Sequence, residues 1–98
     1  MTRLIVVRSE AETDIAEAVE WYASRDLDLS RDFRQRITQS ISSIAENPFR
    51  FRKIYGTARH VPLLRFPYNL IYRVQEEEIV IVACVHVRRH PRHWQSRR

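Results

Sequence analysis

The sequence predicts a single α+β domain with the element order β-αα-βββ, in which a helical hairpin packs on one face of an antiparallel sheet. Two observations predict this class. One short β-rich run is followed by two segments with helical periodicity and then by several further β-rich runs. The 98 residues are also too few for a second hydrophobic core, so residues 1–98 are expected to form one domain.

The first strand and the first helix are predicted near the N-terminus. Leu4–Val7 is a β-rich run. Ser9 followed by Glu12 matches a capping box, in which two side chains satisfy backbone amides at a helix start, so a helix is expected over about residues 10–24. The helix face opposite the apolar stripe is expected to be a solvated row of acids: Glu10, Asp14, Glu17 and Glu20.

A second helix is predicted over about residues 30–46, because apolar residues recur there at helical spacing. Asn47 and Pro48 are expected to end it, since proline disfavours a helical conformation in the residue before it. The short connection between the two helices favours an antiparallel hairpin. Phe49–Gly56 is predicted to be irregular or a weak edge strand.

Three further strands are predicted in the second half of the chain: Val61–Phe66, Tyr68–Val74 and Ile79–Val85. Pro62 is tolerable near the start of the first of these if that strand lies at an edge. Ile79–Val85 is an unbroken apolar run, which is typical of a strand buried on both faces. With the helices on one face, the other face is expected to be only partly covered and to leave a place for a partner.

Charge is distributed unevenly along the chain. Residues 1–49 carry six arginines and nine acidic residues, a net charge of −3. Residues 50–98 carry ten arginines, one lysine and three glutamates, a net charge of +8. Arginine is suited to bidentate contacts with phosphate or carboxylate. The C-terminal half therefore predicts an acidic partner, either nucleic acid, a nucleoprotein or an acidic protein segment; the alternative is a basic surface that only confers solubility.

Composition excludes several kinds of site. Cys84 is the only cysteine, so no internal disulfide can form and no cysteine-based zinc spacing exists; its apolar neighbours predict a buried thiol. Gly56 is the only glycine, which excludes glycine-rich phosphate loops. No stretch approaches the roughly 20 apolar residues of a membrane span. We therefore expect a cytoplasmic protein with no cofactor, no metal and no membrane partner.

The segment after the last strand is the densest cluster of candidate functional residues: His86, Arg88, Arg89, His90, Arg92, His93 and Trp94. Arginines could bind phosphates, a histidine could transfer protons, and the indole could stack on a base. Alternatively, Trp94 packs the tail onto the sheet and the arginines are solvated. A zinc site formed by the three histidines is disfavoured, because Pro91 interrupts the helix that would align them.

The corner Arg65-Phe66-Pro67-Tyr68 joins two predicted strands. We expect its aromatic side chains to pack and Arg65 to be exposed, while Tyr72 either packs or exposes its hydroxyl. No serine lies in a nucleophile elbow and no carboxylate pair indicates hydrolase chemistry.

Four motifs occur in the same order as in the RelE/ParE toxin superfamily and together cover almost the whole chain. They are Ala11-x-x-Asp14-Ile15, Ile44-x-x-x-Pro48, Arg65-Phe66-Pro67-Tyr68-x-x-x-Tyr72 and His86-x-x-Arg89-x-Pro91-x-x-Trp94-x-x-Arg97. The chain therefore resembles the toxins of plasmid-stabilisation, type II toxin–antitoxin systems. The resemblance implies a microbial-ribonuclease-like fold, neutralisation by a cognate antitoxin, and a hetero-oligomer with that antitoxin.

The resemblance implies one of two targets. RelE-like members cut messenger RNA in the ribosomal A site, whereas ParE-like members poison DNA gyrase and lack the nuclease residues. This chain has Asn69 where RelE-like nucleases carry an arginine and Trp94 where they carry a tyrosine, although Arg88 matches their strand-four arginine. Losing one cation and one hydroxyl removes phosphate stabilisation and acid–base groups, which favours the ParE-like function.

We therefore expect a growth-inhibiting toxin that binds DNA gyrase and is not an enzyme. One alternative is a metal-independent endoribonuclease that acts on mRNA at the ribosome, with His86 transferring protons and Arg65 and Arg88 facing phosphate. Another is a non-toxic relative that only binds its antitoxin. The expected target-binding residues, which should share one surface, are Arg65, Arg88, Arg89, Trp94 and Arg97.

Overall fold

The computed structural model describes residues 3–97, which form a five-stranded sheet with two long helices and one short helix. Within this range no helix is both long and apolar enough to cross a bilayer. In chain order the elements are β1 Leu4–Val7, α1 Ser9–Ala23, α2 Leu27–Glu46, β2 Lys53–Tyr55, β3 Ala58–Pro62, β4 Tyr68–Val74, β5 Glu78–His86 and α3 Arg92–Gln95.

The strands are arranged in the order β1-β5-β4-β3-β2. β1 pairs with β5 in parallel, and the other three pairs are antiparallel. The α+β class and the helical hairpin on a sheet are confirmed, but the sheet is mixed and not wholly antiparallel. A β-rich run indicates a strand without indicating its direction, and the long stretch of chain between β1 and β5 permits the parallel pairing.

The first helix begins at Ser9, so the predicted capping box is wrong. Arg8 occupies the N-cap position without a side-chain hydrogen bond to the first turn. The Ser9 hydroxyl donates instead to the Glu10 carboxylate at 3.4 Å, and the Glu12 amide donates to the Arg8 carbonyl at 2.9 Å. Because the Arg8 amide also bonds the Ile81 carbonyl of β5 at 3.0 Å, the chain passes from the sheet directly into the helix.

The second helix begins at Leu27, three residues earlier than predicted. Asp26 is its N-cap, and the Asp26 carboxylate accepts a hydrogen bond from the Asp28 amide at 2.9 Å. Aspartate is a preferred N-cap residue, so this start is encoded locally. The helix ends at Glu46, immediately before the predicted Asn-Pro stop.

In the second half of the chain β4 and β5 lie where they were predicted, whereas β3 lies earlier. The predicted strand Val61–Phe66 is extended only as far as Pro62. The chain then turns through Arg65, whose φ of 78° is uncommon for a residue other than glycine. Phe66 is buried, but it belongs to this turn and not to a strand. β2 is the weak edge strand expected within residues 49–56.

The first hydrophobic core lies between the hairpin and the sheet. At one end it contains an aromatic cluster in which the Tyr22 and Phe33 rings lie 5.4 Å apart and the Phe66 ring lies 5.2 Å from each. Tyr68, the first residue of β4, lies 5.3 Å from Phe33. Edge-to-face and tilted aromatic contacts of this kind hold rings in defined positions. The cluster therefore fixes the last turn of α1 over the start of β4.

Tyr72 is fully buried in the same core, so it packs and does not expose its hydroxyl. The hydroxyl donates to the Pro48 carbonyl at 2.6 Å, and burial raises the pKa of Tyr72. Arg59 beside it donates to the Phe51 carbonyl at 2.6 Å. These two side chains hold the segment between α2 and β2 against the sheet, and burial keeps the Tyr72 phenol protonated.

A second, smaller core covers part of the other sheet face. Trp94 of α3, which is 4% exposed, packs there. Its partners are apolar residues of three strands: Ala58, Ile71, Val80, Val82, Ala83 and Val85. The sheet face opposite the two long helices was expected to be left partly open for a partner. In this region it is covered by the C-terminal tail of the chain.

Candidate functional site

A β-bulge in β5 determines which side chains face the hairpin at one end of the sheet. Tyr72 of β4 pairs with Ile81, but the preceding residue Ile71 pairs with Ala83, so β5 contains Val82 as one extra residue. Val82 and Ala83 are consecutive, yet both belong to the second core. Because side chains of a strand alternate with a period of two, one extra residue reverses the alternation beyond it.

Beyond the bulge, β5 directs Cys84 and His86 toward α1. Cys84 belongs to the first core, and the His86 ring lies 5.2 Å from the Tyr68 ring. Without the bulge, regular alternation would place both residues on the same face as Val80. Burial, followed by the nearby Asp14 carboxylate, raises the pKa of the Cys84 thiol to about 12, so this thiol stays protonated and unreactive.

Two adjoining hollows, of about 440 and 490 Å³, lie between α1 and the end of β5 and share several lining residues. Together they form the α1–β5 cleft. Its outer part is lined mainly by Trp21, Tyr68, His86, Arg88, Arg89 and His90. Its inner part adds Asp14, Glu17, Cys84, Val85 and His93.

The outer part of the cleft combines aromatic rings with cations. Trp21 is 50% exposed, and the Arg25 guanidinium lies 3.6 Å from the centre of its ring. Arg25 also donates to the Trp21 carbonyl at 3.1 Å, which fixes the stack. Arg88 and Arg89 are exposed, and neither forms a salt bridge with a carboxylate among residues 3–97. This arrangement can bind a flat ring beside a negative charge.

The turn after β5 holds the His86 ring in one tautomer. Its Nδ1 accepts a hydrogen bond from the Arg88 amide at 3.1 Å. A neutral imidazole has a single acceptor nitrogen, so Nε2 carries the proton in the neutral ring. A general base would need a free acceptor nitrogen, and the one that His86 has is already bonded. The neutral ring therefore offers a donor to a ligand.

The inner end of the cleft is closed by a buried ion pair. Arg97 donates to the Asp14 carboxylate at 2.7 Å, and the two side chains are 15% and 9% exposed. Asp14 also accepts from the Cys84 amide at 3.0 Å, and Arg97 donates to the Val82 carbonyl at 3.2 Å. Because β1 ends at Val7, these side chains satisfy backbone groups of β5 that have no strand beside them.

The buried pair corrects two predictions. Asp14 is not part of a solvated acidic row, and Arg97 is not free to contact a target. Helical periodicity places Asp14 beside the apolar stripe of α1 but cannot reveal a partner 83 residues away. Trp94 was also expected to contact the target, and its burial in the second core shows that the alternative, packing of the tail, is correct.

His93 connects the ion pair with the outer part of the cleft. Its Nδ1 lies 3.4 Å from Arg89 Nη1, and its Nε2 lies 3.3 Å from Arg97 Nη2. A neutral ring can accept at only one of these nitrogens. His90 Nδ1 is bonded to the Arg92 amide at 3.1 Å, and the histidines of the tail do not form a metal-binding group among residues 3–97.

The remaining predicted contact residues lie at one end of the sheet. The Val87 amide donates to the Pro67 carbonyl at 2.8 Å, which brings the β3–β4 turn beside the end of β5. Arg65 on this turn lies 3.6 Å from Asp32 of α2, a pair exposed enough to be weak. Arg65, Arg88 and Arg89 are called the sheet-end patch below.

Sequence reasoning missed Trp21 and Arg25. The signal that could have revealed them is the position of Trp21, which lies outside the spacing of the buried residues of α1: Ala11, Ala18, Val19 and Tyr22. A large aromatic residue on the polar side of an amphipathic helix remains exposed, and aromatic residues are enriched in contact surfaces.

A second groove, of about 330 Å³, lies between α2 and β3 and shares no lining residue with the α1–β5 cleft. Phe51, Val61 and Leu64 supply its apolar surface, and Leu64 is 65% exposed. Arg36 and Arg50 also line this α2–β3 groove, and no carboxylate of the described part of the chain does. The groove therefore suits an apolar segment that carries negative charge.

Comparison with known proteins identifies the family of this chain. The family model of the ParE toxin of type II toxin–antitoxin systems, parDE, matches residues 5–93. The chain belongs to this family. Two relatives named Toxin ParE2 come from Mycobacterium tuberculosis strains CDC 1551 / Oshkosh and ATCC 25618 / H37Rv. This ParE-family chain is 30% identical to each over 92 residues, which cover 93% of its own length and 88% of theirs.

A solved structure is also similar to this ParE-family chain. It is described as the chromosomal ParDE TA system from P. aeruginosa, and the two folds agree with a TM-score of 0.77. The match covers 87% of this chain and 96% of the other at 18% sequence identity, so it supports the fold. The predicted ParE-like membership of the RelE/ParE superfamily is confirmed, and the chain is a ParE-type toxin of a type II toxin–antitoxin system.

Proposed function

We propose that this ParE-type toxin arrests growth by binding DNA gyrase through the sheet-end patch and the outer part of the α1–β5 cleft. The observation that carries the proposal is that the histidine expected to transfer protons has no free acceptor nitrogen beside the cations of the cleft. Arg88 and Arg89 are exposed, whereas His86 Nδ1 is bonded to the Arg88 amide. Such a surface favours binding of a negatively charged partner over cleavage of it.

Two further positions support binding over RNA cleavage. Asn69 lies on β4 where the nuclease members carry an arginine, and Trp94 is buried where they carry a tyrosine. The Tyr72 hydroxyl donates to a backbone carbonyl deep in the core. The tyrosine Tyr68, which does line the cleft, has its pKa raised by burial, so its phenol resists deprotonation. We therefore place the chain among the non-enzymatic toxins of its superfamily.

The proposal predicts that the double variant Arg88→Ala/Arg89→Ala loses inhibition of gyrase. Two charged contacts at the centre of an interface contribute about 2 kcal/mol or more, which corresponds to a roughly thirtyfold higher half-inhibitory concentration. The measurement is inhibition of DNA supercoiling by purified toxin. Arg34→Ala, which removes an exposed arginine from α2, is the matched control and should inhibit like the unmodified chain.

The cellular response to unpaired expression separates the candidate targets. Gyrase inhibition should induce the DNA-damage response and block replication, and toeprints on translating ribosomes should show no cleavage of mRNA. If purified toxin leaves supercoiling unchanged while mRNA is cut in the ribosomal A site, the gyrase proposal is wrong. Absence of any growth arrest would instead identify a non-toxic relative.

We propose that a cognate antitoxin neutralises the toxin by placing an acidic, apolar segment in the α2–β3 groove. The cations Arg36 and Arg50 flank an apolar surface there, and neither belongs to the sheet-end patch. Charge reversal at both, Arg36→Glu/Arg50→Glu, should weaken capture by the product of the neighbouring reading frame by about tenfold or more. Arg31→Glu, on an exposed face of α2, is the matched control.

The antitoxin proposal has a clear contrary result. If the neighbouring product binds the double variant as tightly as it binds the unmodified chain, the segment lies elsewhere on the toxin. If the two products do not form a complex on co-expression, the expected hetero-oligomer does not exist. Both proposed partners act in the cytoplasm, where the lone buried thiol of Cys84 also fits.

A further inference from the structure

We infer that the outer part of the α1–β5 cleft binds a short single-stranded nucleic acid, with one base stacked on Trp21 and the adjoining phosphates held by Arg88 and Arg89. The inference rests on the proposed function in one respect: gyrase works on DNA, so a toxin bound to it meets nucleic acid. It goes further by assigning the chemistry that the patch recognises.

The indole of Trp21 has the properties of a stacking platform. Half of it is exposed, and the Arg25 guanidinium covers one face of the ring at 3.6 Å, so a base would stack on the opposite face, within the cleft that Trp21 lines. Stacking of bases on aromatic side chains is tolerant of sequence because every base has a flat face. Tyr22, which lies edge-on to Trp21 with ring centres 5.0 Å apart, supports the platform from the core side.

The charges of the cleft favour an anion at its outer end. Within residues 3–97 no carboxylate lines that part, where Arg88, Arg89, His86 and His90 lie. Of the two acids that line the inner part, Asp14 is engaged by Arg97 at 2.7 Å. A phosphate would therefore bind beside the exposed guanidinium groups of Arg88 and Arg89 and not deeper in the cleft.

The edge of β5 disfavours the main competing ligand, an extended peptide. A peptide that adds a strand to a sheet needs free backbone amides and carbonyls along the edge. Past the end of β1, the Cys84 amide is bonded to Asp14 and the Val82 carbonyl to Arg97. These two bonds favour recognition through side chains at this cleft, and those of its outer part are mainly aromatic rings, imidazoles and guanidinium groups.

The size of the outer hollow sets the form of the ligand. About 490 Å³ is enough for one nucleotide unit and too little for a duplex. A base can stack on Trp21 only when it is unpaired, so the site selects single strands, loops or opened duplex. Arg65 lies at the same end of the sheet but pairs with Asp32 at 3.6 Å and does not line this hollow, so Arg88 and Arg89 are the cations that would contact the phosphates.

Binding of a short labelled oligonucleotide to the purified toxin, measured by fluorescence anisotropy without gyrase, tests the inference. Single-stranded DNA and RNA of the same sequence, about eight nucleotides long, are the two probes. Trp21→Ala should weaken binding about tenfold, and each of Arg88→Ala and Arg89→Ala should reduce the slope of log affinity against log salt by about 0.7. Ligand should also quench tryptophan fluorescence through Trp21, since Trp94 is buried.

Matched controls distinguish binding at the cleft from non-specific binding to a basic protein surface. Phe49→Ala removes an exposed aromatic residue that also has arginines near its ring, but outside the cleft, and Arg34→Ala removes an exposed cation from α2. Both should bind the oligonucleotides like the unmodified chain. Equal losses in Trp21→Ala and Phe49→Ala would overturn the inference, as would tighter binding of an acidic peptide of the same charge.

The outcomes also distinguish this inference from the proposed function. Inhibition of supercoiling by a toxin that binds neither oligonucleotide would overturn the nucleic-acid site and leave gyrase as the target. Oligonucleotide binding that depends on Trp21, together with unaffected supercoiling, would support the site and reject gyrase. If Trp21→Ala weakens the binding of both probes and Phe49→Ala does not, the site is supported, and the probe that binds more tightly identifies the nucleic acid that it meets.

Discussion

Asp14→Ala and Arg97→Ala should each destabilise the folded chain by about 3 kcal/mol, because each change leaves the other charge buried without its partner. The pair is 2.7 Å apart, and both side chains are largely withdrawn from solvent. Asp14→Ala also removes the acceptor of the Cys84 amide, and Arg97→Ala removes a donor to the Val82 carbonyl. The measurement is the free energy of unfolding from urea denaturation.

A double-mutant cycle tests whether the two side chains act as a unit. Asp14→Ala/Arg97→Ala should cost clearly less than the sum of the two single changes, because no unpaired charge remains in the double variant. Arg31→Ala is the control, since Arg31 pairs with Asp28 at 3.8 Å with both side chains exposed, and such pairs contribute little. If Arg97→Ala and Arg31→Ala lower the free energy of unfolding by equal, small amounts, the buried pair does not hold the tail.

Trp94→Ala should destabilise the chain by about 3 to 5 kcal/mol, the cost of removing a large aromatic side chain from a core. Trp94 is the largest side chain of the second core, and without it Ile71, Val80 and Val82 lose the group that packs on them. α3 is only four residues long, so its position depends on this contact. Urea denaturation measures the loss, and Trp94→Phe should recover part of it.

The second tryptophan provides the comparison for Trp94. Trp21 is 50% exposed, so Trp21→Ala should change the free energy of unfolding by less than about 1 kcal/mol. In the oligonucleotide-binding assay Trp21→Ala should have the larger direct effect, because Trp21 is proposed to contact the ligand. Trp94→Ala should affect binding only by destabilising the fold. If Trp94→Ala keeps full stability and loses only gyrase inhibition, Trp94 is a contact residue and its assignment to the core is wrong.

These two results would divide the arginine-rich C-terminal segment into a structural part and a binding part. Trp94 and Arg97 anchor the tail, one in the second core and one against α1. Arg88 and Arg89 remain exposed in the cleft, and Arg65 joins them from the neighbouring turn. Of the five residues expected to form one target-binding surface, Trp94 is buried and Arg97 is engaged in the ion pair, and contact of Arg65, Arg88 and Arg89 with a target stays a prediction.

Most of the elements were predictable because their signals are local. An apolar stripe, an Asn-Pro stop and an unbroken β-branched run each lie within a few neighbouring residues, and α1, α2, β4 and β5 were placed within three residues of their bounds. β3 was predicted too late in the chain because the mainly apolar segment Val61–Phe66 was interpreted as one strand. In the structure Val61 packs into the core as part of the strand, whereas Phe66 packs into it as part of the turn that follows.

The candidate site was only partly predictable, because its decisive features depend on pairing between distant segments. The cationic end of the chain is visible in the residue order, and so is the likeness to its toxin family. Which face His86 occupies depends on the bulge at Val82, and a bulge exists only in the register of β5 against β4. Period-two alternation alone would have placed His86 on the wrong face.

Local residue patterns thus establish the α+β class, the hairpin, the buried central strand and the basic C-terminal half. Three things came only from long-range contacts: the parallel direction of β1, the face of the sheet on which the cleft opens, and the arginines that remain free. The physical reason is that periodicity and capping involve neighbours in sequence. Strand register and ion pairing join residues such as Asp14 and Arg97, which meet only when the whole chain has folded.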